Sequence, residues 1–162
     1  MGKQYYQKVC LNGHQVTDHY SSPNDPNPPE FCELCGEKVI VTCPNCEQAI
    51  LGDRDIDGVV FLGSSTKAVP SYCKSCGDSY PWTKTILEGA AELVSLDDDL
   101  SDQDKQLIKS AIPDLLVETP KTKVAEAKFS KGYSKASKLV KDSLYNLLVD
   151  VLSETVKKTI FN

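Results

Sequence analysis

Apolar residues in the second half of the chain recur every three or four positions, which predicts helices. Thr83 can cap the first of these helices, which is predicted to end at the three aspartates 97–99. Its apolar positions are Ile86, Leu87, Ala90, Leu93 and Val94. Ser101 and Asp104 resemble a capping box and predict a second helix. The apolar positions of that helix are Leu107, Ile108 and Ile112.

A longer helical pattern runs from about Thr122 to the end of the chain, with a break predicted near Gly132. Pro113 and Pro120 are predicted to bound the segment that precedes it. The last part carries an apolar stripe about six turns long and about a third of the helix circumference wide. The stripe consists of Leu139, Val140, Leu144, Leu147, Leu148, Val151, Leu152, Val156 and Ile160. It predicts the core of a small helical bundle and, because three helices need not cover it, a face for self-association or a protein partner.

The first half of the chain lacks this period and is rich in turn-forming residues. Residues 21–29 include four prolines, which exclude a helix or a central strand. Two short strands are predicted, over 38–42 and 59–62. All seven cysteines precede residue 83, which predicts two regions, 1–82 and 83–162. The expected fold class is α+β, a small β region followed by an α-helical bundle.

The cysteines form four short motifs that are typical of metal sites. Three are C-x-x-C pairs, and in the fourth a histidine stands four residues after the cysteine. The candidate metal ligands are Cys10, His14, Cys32, Cys35, Cys43, Cys46, Cys73 and Cys76. Seven sulfurs and one imidazole fill two four-coordinate sites with none left over. Two structural zinc ions are therefore the predicted cofactors.

The spacing suits a tight turn around a metal, because a C-x-x-C turn places both sulfurs on one side of a knuckle. Gly36 and Gly77 directly follow the second cysteine of two pairs, where a positive φ is useful. A thioredoxin-like redox pair needs a single C-x-x-C at a helix start, which this chain does not offer. Iron stays an alternative to zinc at the four-cysteine site.

Two groupings of the ligands are possible. Sequential grouping joins the first two motifs into one site over about 8–37 and the last two into a second over about 41–80. Interleaved grouping joins the first motif with the third and the second with the fourth, as RING-type folds do. Sequential grouping is favoured, because each site then joins two knuckles bridged by a hairpin, which is the plan of a zinc ribbon. Both groupings stay open at this point.

Charge argues against a protein built to coat nucleic acid. The net charge is −5, and residues 1–82 carry six basic and ten acidic side chains, a net −4 that zinc thiolates make more negative. Lysine concentrates in 121–141, and Lys128, Lys131, Lys135 and Lys138 would share one helix face if Gly132 is spanned. This face could meet an anionic partner such as nucleic acid. The acidic stretch 88–118 favours pairing within the chain instead.

Other candidate sites are weaker. His19 fits a knuckle less well than His14. Residues 53–58 match the start of a calcium loop, but Ser64 stands where the loop needs a glutamate, so a polar turn is expected. Trp82 is expected to staple the ribbons to the helices rather than to form an exposed anchor. The sequence shows no Walker loop, dinucleotide fingerprint or nucleophile–base arrangement, so no enzymatic activity is expected.

The order of the motifs resembles a family of short bacterial proteins of unknown function with paired zinc ribbons and a helical C-terminal region. The most specific part of the resemblance is C-G-x-x-Y-P-W-T, from Cys76 to Thr83. It covers nearly the whole chain and implies zinc and this architecture. It implies no activity and no catalytic residue.

These features predict a non-enzymatic, zinc-binding interaction or adaptor module. A nucleic-acid-associated regulator is the first alternative and a small metalloenzyme the second, which requires a water ligand at one site. The start of the chain shows no apolar signal segment, and no apolar run suits a membrane span, so a cytoplasmic location is expected.

Overall fold

The computed structural model describes residues 2–22, 29–59 and 66–162. The chain divides into two compact units, Met1–Lys84 and Thr85–Asn162. The strands are β1 (Gln4–Cys10), β2 (Gln15–Tyr20), β3 (Val39–Ile40) and β4 (Leu51–Arg54). The helices are α1 (Pro81–Ser95), α2 (Asp102–Leu115), α3 (Thr122–Tyr133), α4 (Lys138–Leu148) and α5 (Glu154–Ile160). The predicted α+β class is confirmed.

Two predicted elements fall partly on residues that are not described. These are residues 23–28 of the proline-rich stretch and residues 60–62 of the second predicted strand. Of the first predicted strand, over 38–42, only Val39–Ile40 is a ladder strand. Lys38 and Thr42 take part in isolated bridges on either side of it.

The first unit is built on an antiparallel sheet with β1 at its centre. β2 pairs with one edge of β1, while β3 and β4 pair with different parts of its other edge. β1 is therefore paired on both sides, and Gln7 within it is fully buried. The Gln7 amide donates to the carbonyls of Leu51 and Ala68, and its oxygen accepts from Gln15, so the burial leaves its polar atoms paired.

The apolar core of the first unit is small. Val9 and Ile50 pack with Tyr80 and Trp82, together with two buried cysteines of the metal-binding motifs. Trp82 is 5% exposed, stacks on Tyr80 with ring centroids 4.7 Å apart, and donates its indole N–H to the Pro70 carbonyl over 2.9 Å. Trp82 is thus a buried core residue of this unit and not an exposed anchor. Its predicted role as a staple to the helices stays a prediction.

The second unit is helical, with a core to which all five helices contribute. Ser101, Ser137 and Ser153 cap the starts of α2, α4 and α5, and each side-chain oxygen accepts from the amide three residues on. The capping start predicted at Ser101 is confirmed. No helix in the described part of the chain is both long and apolar enough to cross a lipid bilayer.

Three helix predictions need correction. Thr83 does not cap α1, because the helix already begins at Pro81 and the Thr83 hydroxyl donates to the Ser71 carbonyl. Pro113 lies inside α2 and does not bound the following segment, because the buried residues Ile112 and Leu115 hold the last turn in the core despite the lost backbone hydrogen bond. The long pattern after Thr122 forms three helices, with the expected break after Tyr133 and a second one at 149–153. The apolar period continues across this second break because α5 packs into the same core as α4.

Most of the apolar stripe is used inside the second unit. Val140, Leu144, Leu148, Leu152, Val156 and Ile160 are buried there. Leu139, by contrast, is 76% exposed. A partner face built on the stripe would therefore have to use Leu139 and its surroundings.

Candidate metal centres

The three C-x-x-C motifs adopt the same backbone hydrogen bonding. Each lies on a short hairpin closed by an isolated bridge, which joins Phe31 to Lys38, Thr42 to Ala49, or Tyr72 to Ser79. In each, the first cysteine's carbonyl accepts from the amide four residues on, and its amide donates to the carbonyl five residues on, over 2.7–2.9 Å. In the C-x-x-x-H motif, the corresponding bonds of Cys10 reach Gly13 and His14, one residue earlier. The chain thus builds four knuckles with similar local geometry.

The knuckles bring the eight predicted ligands together in two groups of four. The ligand atoms of Cys10, His14, Cys32 and Cys35 lie within 4.8 Å of one another. The same holds for the ligand atoms of Cys43, Cys46, Cys73 and Cys76. This is the sequential grouping favoured from the sequence. Among the described residues, no other group of histidine, cysteine and acidic side chains meets this spacing.

The distances between ligand atoms fit a tetrahedron around one ion. Sγ–Sγ distances are 3.7 Å for Cys10 and Cys35, 3.8 Å for Cys43 and Cys76, and 3.6 Å for Cys46 and Cys73. Tetrahedral zinc with Zn–S bonds of about 2.3 Å has an S–S edge of about 3.8 Å. A disulfide needs about 2.05 Å, and all seven cysteines are free. Both clusters are therefore compatible with a zinc ion.

His14 faces the first cluster with Nδ1. Its Nδ1 lies 3.3 Å from Cys35 Sγ, 3.5 Å from Cys10 Sγ and 3.7 Å from Cys32 Sγ. A zinc ion with one nitrogen and three sulfur ligands has N–S edges of about 3.6 Å. The nitrogen that would bind the metal is therefore Nδ1, because the short loop after Cys10 brings this side of the ring toward the sulfurs.

The thiols of each cluster differ in acidity. Hydrogen bonds, chiefly from the Glu37 amide, lower the pKa of Cys35 to about 6, and the amides of Cys76 and Ser75 lower the pKa of Cys73 to about 6. The Gln48 amide alone would lower the pKa of Cys46, but desolvation and the three neighbouring sulfurs raise it to about 11. Sulfurs this close cannot all ionise without a cation, because thiolates repel. A divalent metal removes that repulsion.

Three polar side chains around the ligands were not anticipated from the sequence. Asn12 hydrogen-bonds Cys35, and Asn45 hydrogen-bonds Cys76. Each asparagine stands two residues after the first cysteine of its site, and this shared spacing is the signal that could have found both. Tyr80 hydrogen-bonds Cys73, and burial, with the charge of that sulfur, raises the pKa of Tyr80. Such partners orient ligands and moderate the charge on sulfur.

The residue after the second cysteine takes a positive φ in all three C-x-x-C knuckles. The values are +73° at Gly36, +76° at Gly77 and +61° at Glu47. Glycine adopts this conformation without strain, whereas a residue with a Cβ does not. The sequence pattern explains the two glycines, and the structure shows that Glu47 occupies the same strained position.

Two weaker sequence candidates lie outside the clusters. His19 is not close to the ligand set: its Nδ1 lies 2.6 Å from Asp18 Oδ1 and its Nε2 lies 3.4 Å from Asp53 Oδ2. The calcium-like stretch ends β4 and continues into a turn with Gly58 at φ +80°, as expected for a polar turn. Its acidic residues form no candidate metal group among the described residues.

The four lysines predicted to share one helix face do not lie on one helix. Lys128 and Lys131 belong to α3, which spans Gly132 but ends at Tyr133. Lys135 follows α3 and pairs with Asp104 over 2.8 Å, and Lys138 begins α4. The predicted face is therefore wrong as a single stripe, because the helix ends soon after Gly132. Lys128 and Lys131 remain exposed on α3.

Comparison with known proteins identifies the family of the chain. Searches of curated proteins and of solved structures gave no match. The model of a family described as uncharacterized protein conserved in bacteria (DUF2321) matches residues 3–160. With its two cysteine-rich clusters and helical C-terminal unit, the chain belongs to this family.

Proposed function

We propose that the protein is a non-enzymatic zinc-binding interaction module whose two zinc ions are structural. The observation that carries the proposal is the donor set. Each cluster offers four protein ligands at the spacing of a tetrahedron, so a bound zinc ion needs no water to complete its shell. A catalytic zinc keeps one position open for water or substrate.

The size of the first unit's core supports a structural role for the metal. Val9 and Ile50 are the large apolar side chains that are fully buried in its described part. Cys43 and Cys73 belong to the same core cluster, so the metal site and the apolar packing form one structure. Small domains with so little apolar burial depend on metals or disulfides for stability. With all cysteines free, the metal takes this role.

Exposed apolar side chains support a role in interaction. On the knuckle of Cys32 and Cys35, Phe31 is 62% exposed and Leu34 is 73% exposed. Leu34 lies between the ligands Cys32 and Cys35, so a bound metal would hold it in a fixed position. Large apolar side chains presented on a rigid turn are typical of protein contacts. We also propose a cytoplasmic location, because cysteines that bind a metal and are not paired in disulfides are typical of compartments where thiols are kept reduced.

Metal analysis combined with X-ray absorption spectroscopy tests the structural-zinc proposal. The purified chain is expected to hold two zinc ions, with an average of 3.5 sulfur and 0.5 nitrogen ligands per zinc, as the two clusters give. H14C should shift the average toward four sulfurs without loss of zinc. Fewer than two ions per chain, iron in place of zinc, or an oxygen ligand would overturn the proposal.

A further inference from the structure

The second unit carries two stretches of opposite charge that scarcely neutralise each other. Residues 88–118 hold nine acidic residues and two lysines, a net −7, while 121–141 hold seven lysines and one glutamate, a net +6. Asp104 and Lys135 form the one ion pair between the two stretches in this unit, all of which is described, and the charge of Lys131 also acts on Asp104. The lysines there without an ion pair include Lys128 and Lys131. Charge that these contacts leave over, including that of Lys128, is therefore available to another molecule.

An acidic and apolar groove lies between the end of α1 and the start of α4. Its volume is about 400 Å³, and its lining includes Leu93, Leu96, Asp98, Asp99, Leu139 and Val140. Leu96 is 70% exposed and Leu139 is 76% exposed. Two leucines with so much surface in water favour a partner that covers them.

The charge at the rim of the groove comes from exposed aspartates. Asp97 is buried and accepts hydrogen bonds from the amides of Asp99 and Ser137, so it serves the local fold. Asp98 and Asp99 are exposed, and no lysine pairs with either in this unit. Two lysines offset only part of the negative charge of these aspartates. They are Lys105, which donates to the Ser95 carbonyl, and the exposed Lys138.

The neighbouring helix surfaces add more acid. Glu92, four residues before Leu96, and Asp142, three residues after Leu139, are both exposed. Together with Asp98 and Asp99, these make four acidic side chains around the groove. Lys105 and Lys138 are the two lysines there, so the surroundings of the groove have a net negative charge. The groove therefore suits an occupant with an apolar centre and flanking positive charges.

The outward face of α3 has this composition. Val124 is 57% exposed, and Lys128 and Lys131 follow it at spacings of four and three, which places all three on one side of the helix. Neither lysine makes an ion pair, although the charge of Lys131 also acts on Asp104. One exposed apolar side chain beside two unpaired lysines complements two exposed leucines beside two unpaired aspartates.

We infer that the groove binds the α3 face of a second copy of this chain. Because the two surfaces are different patches of one molecule, the contact is heterologous and joins copies head to tail. The attraction depends on exposed charges, so it weakens as salt rises. The inference deepens the proposed interaction function by naming a partner, yet its surfaces lie wholly in the second unit and include no metal ligand.

Analytical ultracentrifugation of the zinc-loaded full chain tests the inference. The average mass should rise above 17.8 kDa with concentration in about 50 mM salt, and should fall back in about 500 mM salt. D98K/D99K and K128E/K131E should each weaken association about tenfold or more. A one-to-one mixture of these two variants should regain association, because each supplies the surface that the other has lost.

A matched control separates the groove from net charge. D114K/E118K makes the same charge change as D98K/D99K at and just beyond the end of α2, a helix about 20 Å long whose start follows the groove, and should associate like the wild type. L139S should weaken association without any change in charge. Circular dichroism of each variant confirms its fold, and metal analysis of the same samples tests the zinc proposal separately.

Three outcomes would overturn the inference. The first is a wild type that stays at the single-chain mass at millimolar concentration in low salt. The second is equal association by the wild type and D98K/D99K. The third is a mixture of the two charge variants that does not associate while the wild type does.

Discussion

Removal of the metal is expected to unfold the first unit and to leave most of the second. The magnitude follows from what each unit buries. Among the described residues, the large apolar side chains with under 2% exposure include Val9 and Ile50 in the first unit. In the second unit they are Val94, Ile108, Ile112, Leu115, Phe129, Leu144, Leu148 and Val156.

The difference in burial is comparable with the stabilisation that a metal provides. At about 1.5–3 kcal/mol for each buried large side chain, the first unit lacks on the order of 10 kcal/mol of hydrophobic stabilisation relative to the second. A structural zinc ion contributes about 10–16 kcal/mol in small zinc-binding folds near neutral pH. Whole domains are stable by about 5–15 kcal/mol. The stabilisation lost with either ion is therefore larger than the free energy of unfolding expected for the first unit.

The position of Trp82 gives a direct assay. It is the only tryptophan, it is buried, and it packs in the core that includes Cys43 and Cys73. Chelation should shift its fluorescence to longer wavelength, whereas the helical circular dichroism should persist, because all helices except the first turn of α1 lie in the second unit. C73S should reproduce the shift, and added zinc should reverse it in the wild type but not in C73S.

The reasoning would be refuted by an unchanged tryptophan spectrum in protein shown by metal analysis to be free of zinc. It would equally fail if the helical signal were lost at the chelator concentration that shifts the fluorescence, because both units would then depend on the metal. S71A is a suitable control. It leaves the Ser71 carbonyl that accepts from Thr83 and removes no ligand, so it should keep the native emission.

Three further predictions concern single residues of the first unit. E47G should raise the free energy of unfolding by about 0.5–1 kcal/mol, because Glu47 has φ +61°. G36A should lower the free energy of unfolding by about 1 kcal/mol, because Gly36 also has a positive φ. Equal effects of the two variants in denaturant titrations would contradict the account of knuckle strain. G13A should cost about 2–4 kcal/mol, since Gly13 has φ +88° and a Cβ there would lie 2.9 Å from Trp82 Cβ, while G58A, with open space at its Cβ, should cost only about 1 kcal/mol. The hydrogen bond to Asp18, with nearby aspartates, raises the pKa of His19, so its ion pairs stabilise the fold fully below about pH 6.5 and progressively less as pH rises through the folded pKa. Denaturation curves of the wild type and H19Q, both with saturating zinc, should therefore converge as pH rises, and a constant gap would exclude this role.

The ligand set was the part of the site most accessible from the sequence. Three C-x-x-C pairs and one C-x-x-x-H motif restrict the chemistry because few metals suit seven sulfurs and one imidazole. The partners of the sulfurs were less accessible. Asn12, Asn45 and Tyr80 are ordinary residues whose roles depend on where the knuckles meet. The central strand β1 was not anticipated, because its burial comes from pairing on both edges.

In the helices, too, local features could be predicted from the sequence and features that depend on tertiary contacts could not. Local signals were reliable at Ser101, where a side-chain cap forms within a few residues. They failed at Pro113, where core packing of α2 outweighs the missing hydrogen bond. They also failed for the four lysines, because Lys135 is drawn to Asp104 on another helix and α3 ends before it.

The sequence by itself determined the metal-binding motifs, the two-part organisation of its signals and the helical character of the second half, because turns, caps and periodicity act over a few residues. Tertiary structure alone decided which knuckles meet in one ligand cluster, that Trp82 packs in a core with two of the cysteines, and that Leu96 and Leu139 stay in water beside unpaired aspartates. These outcomes depend on contacts between residues far apart in the chain, and a local sequence pattern does not determine which distant surfaces come into contact.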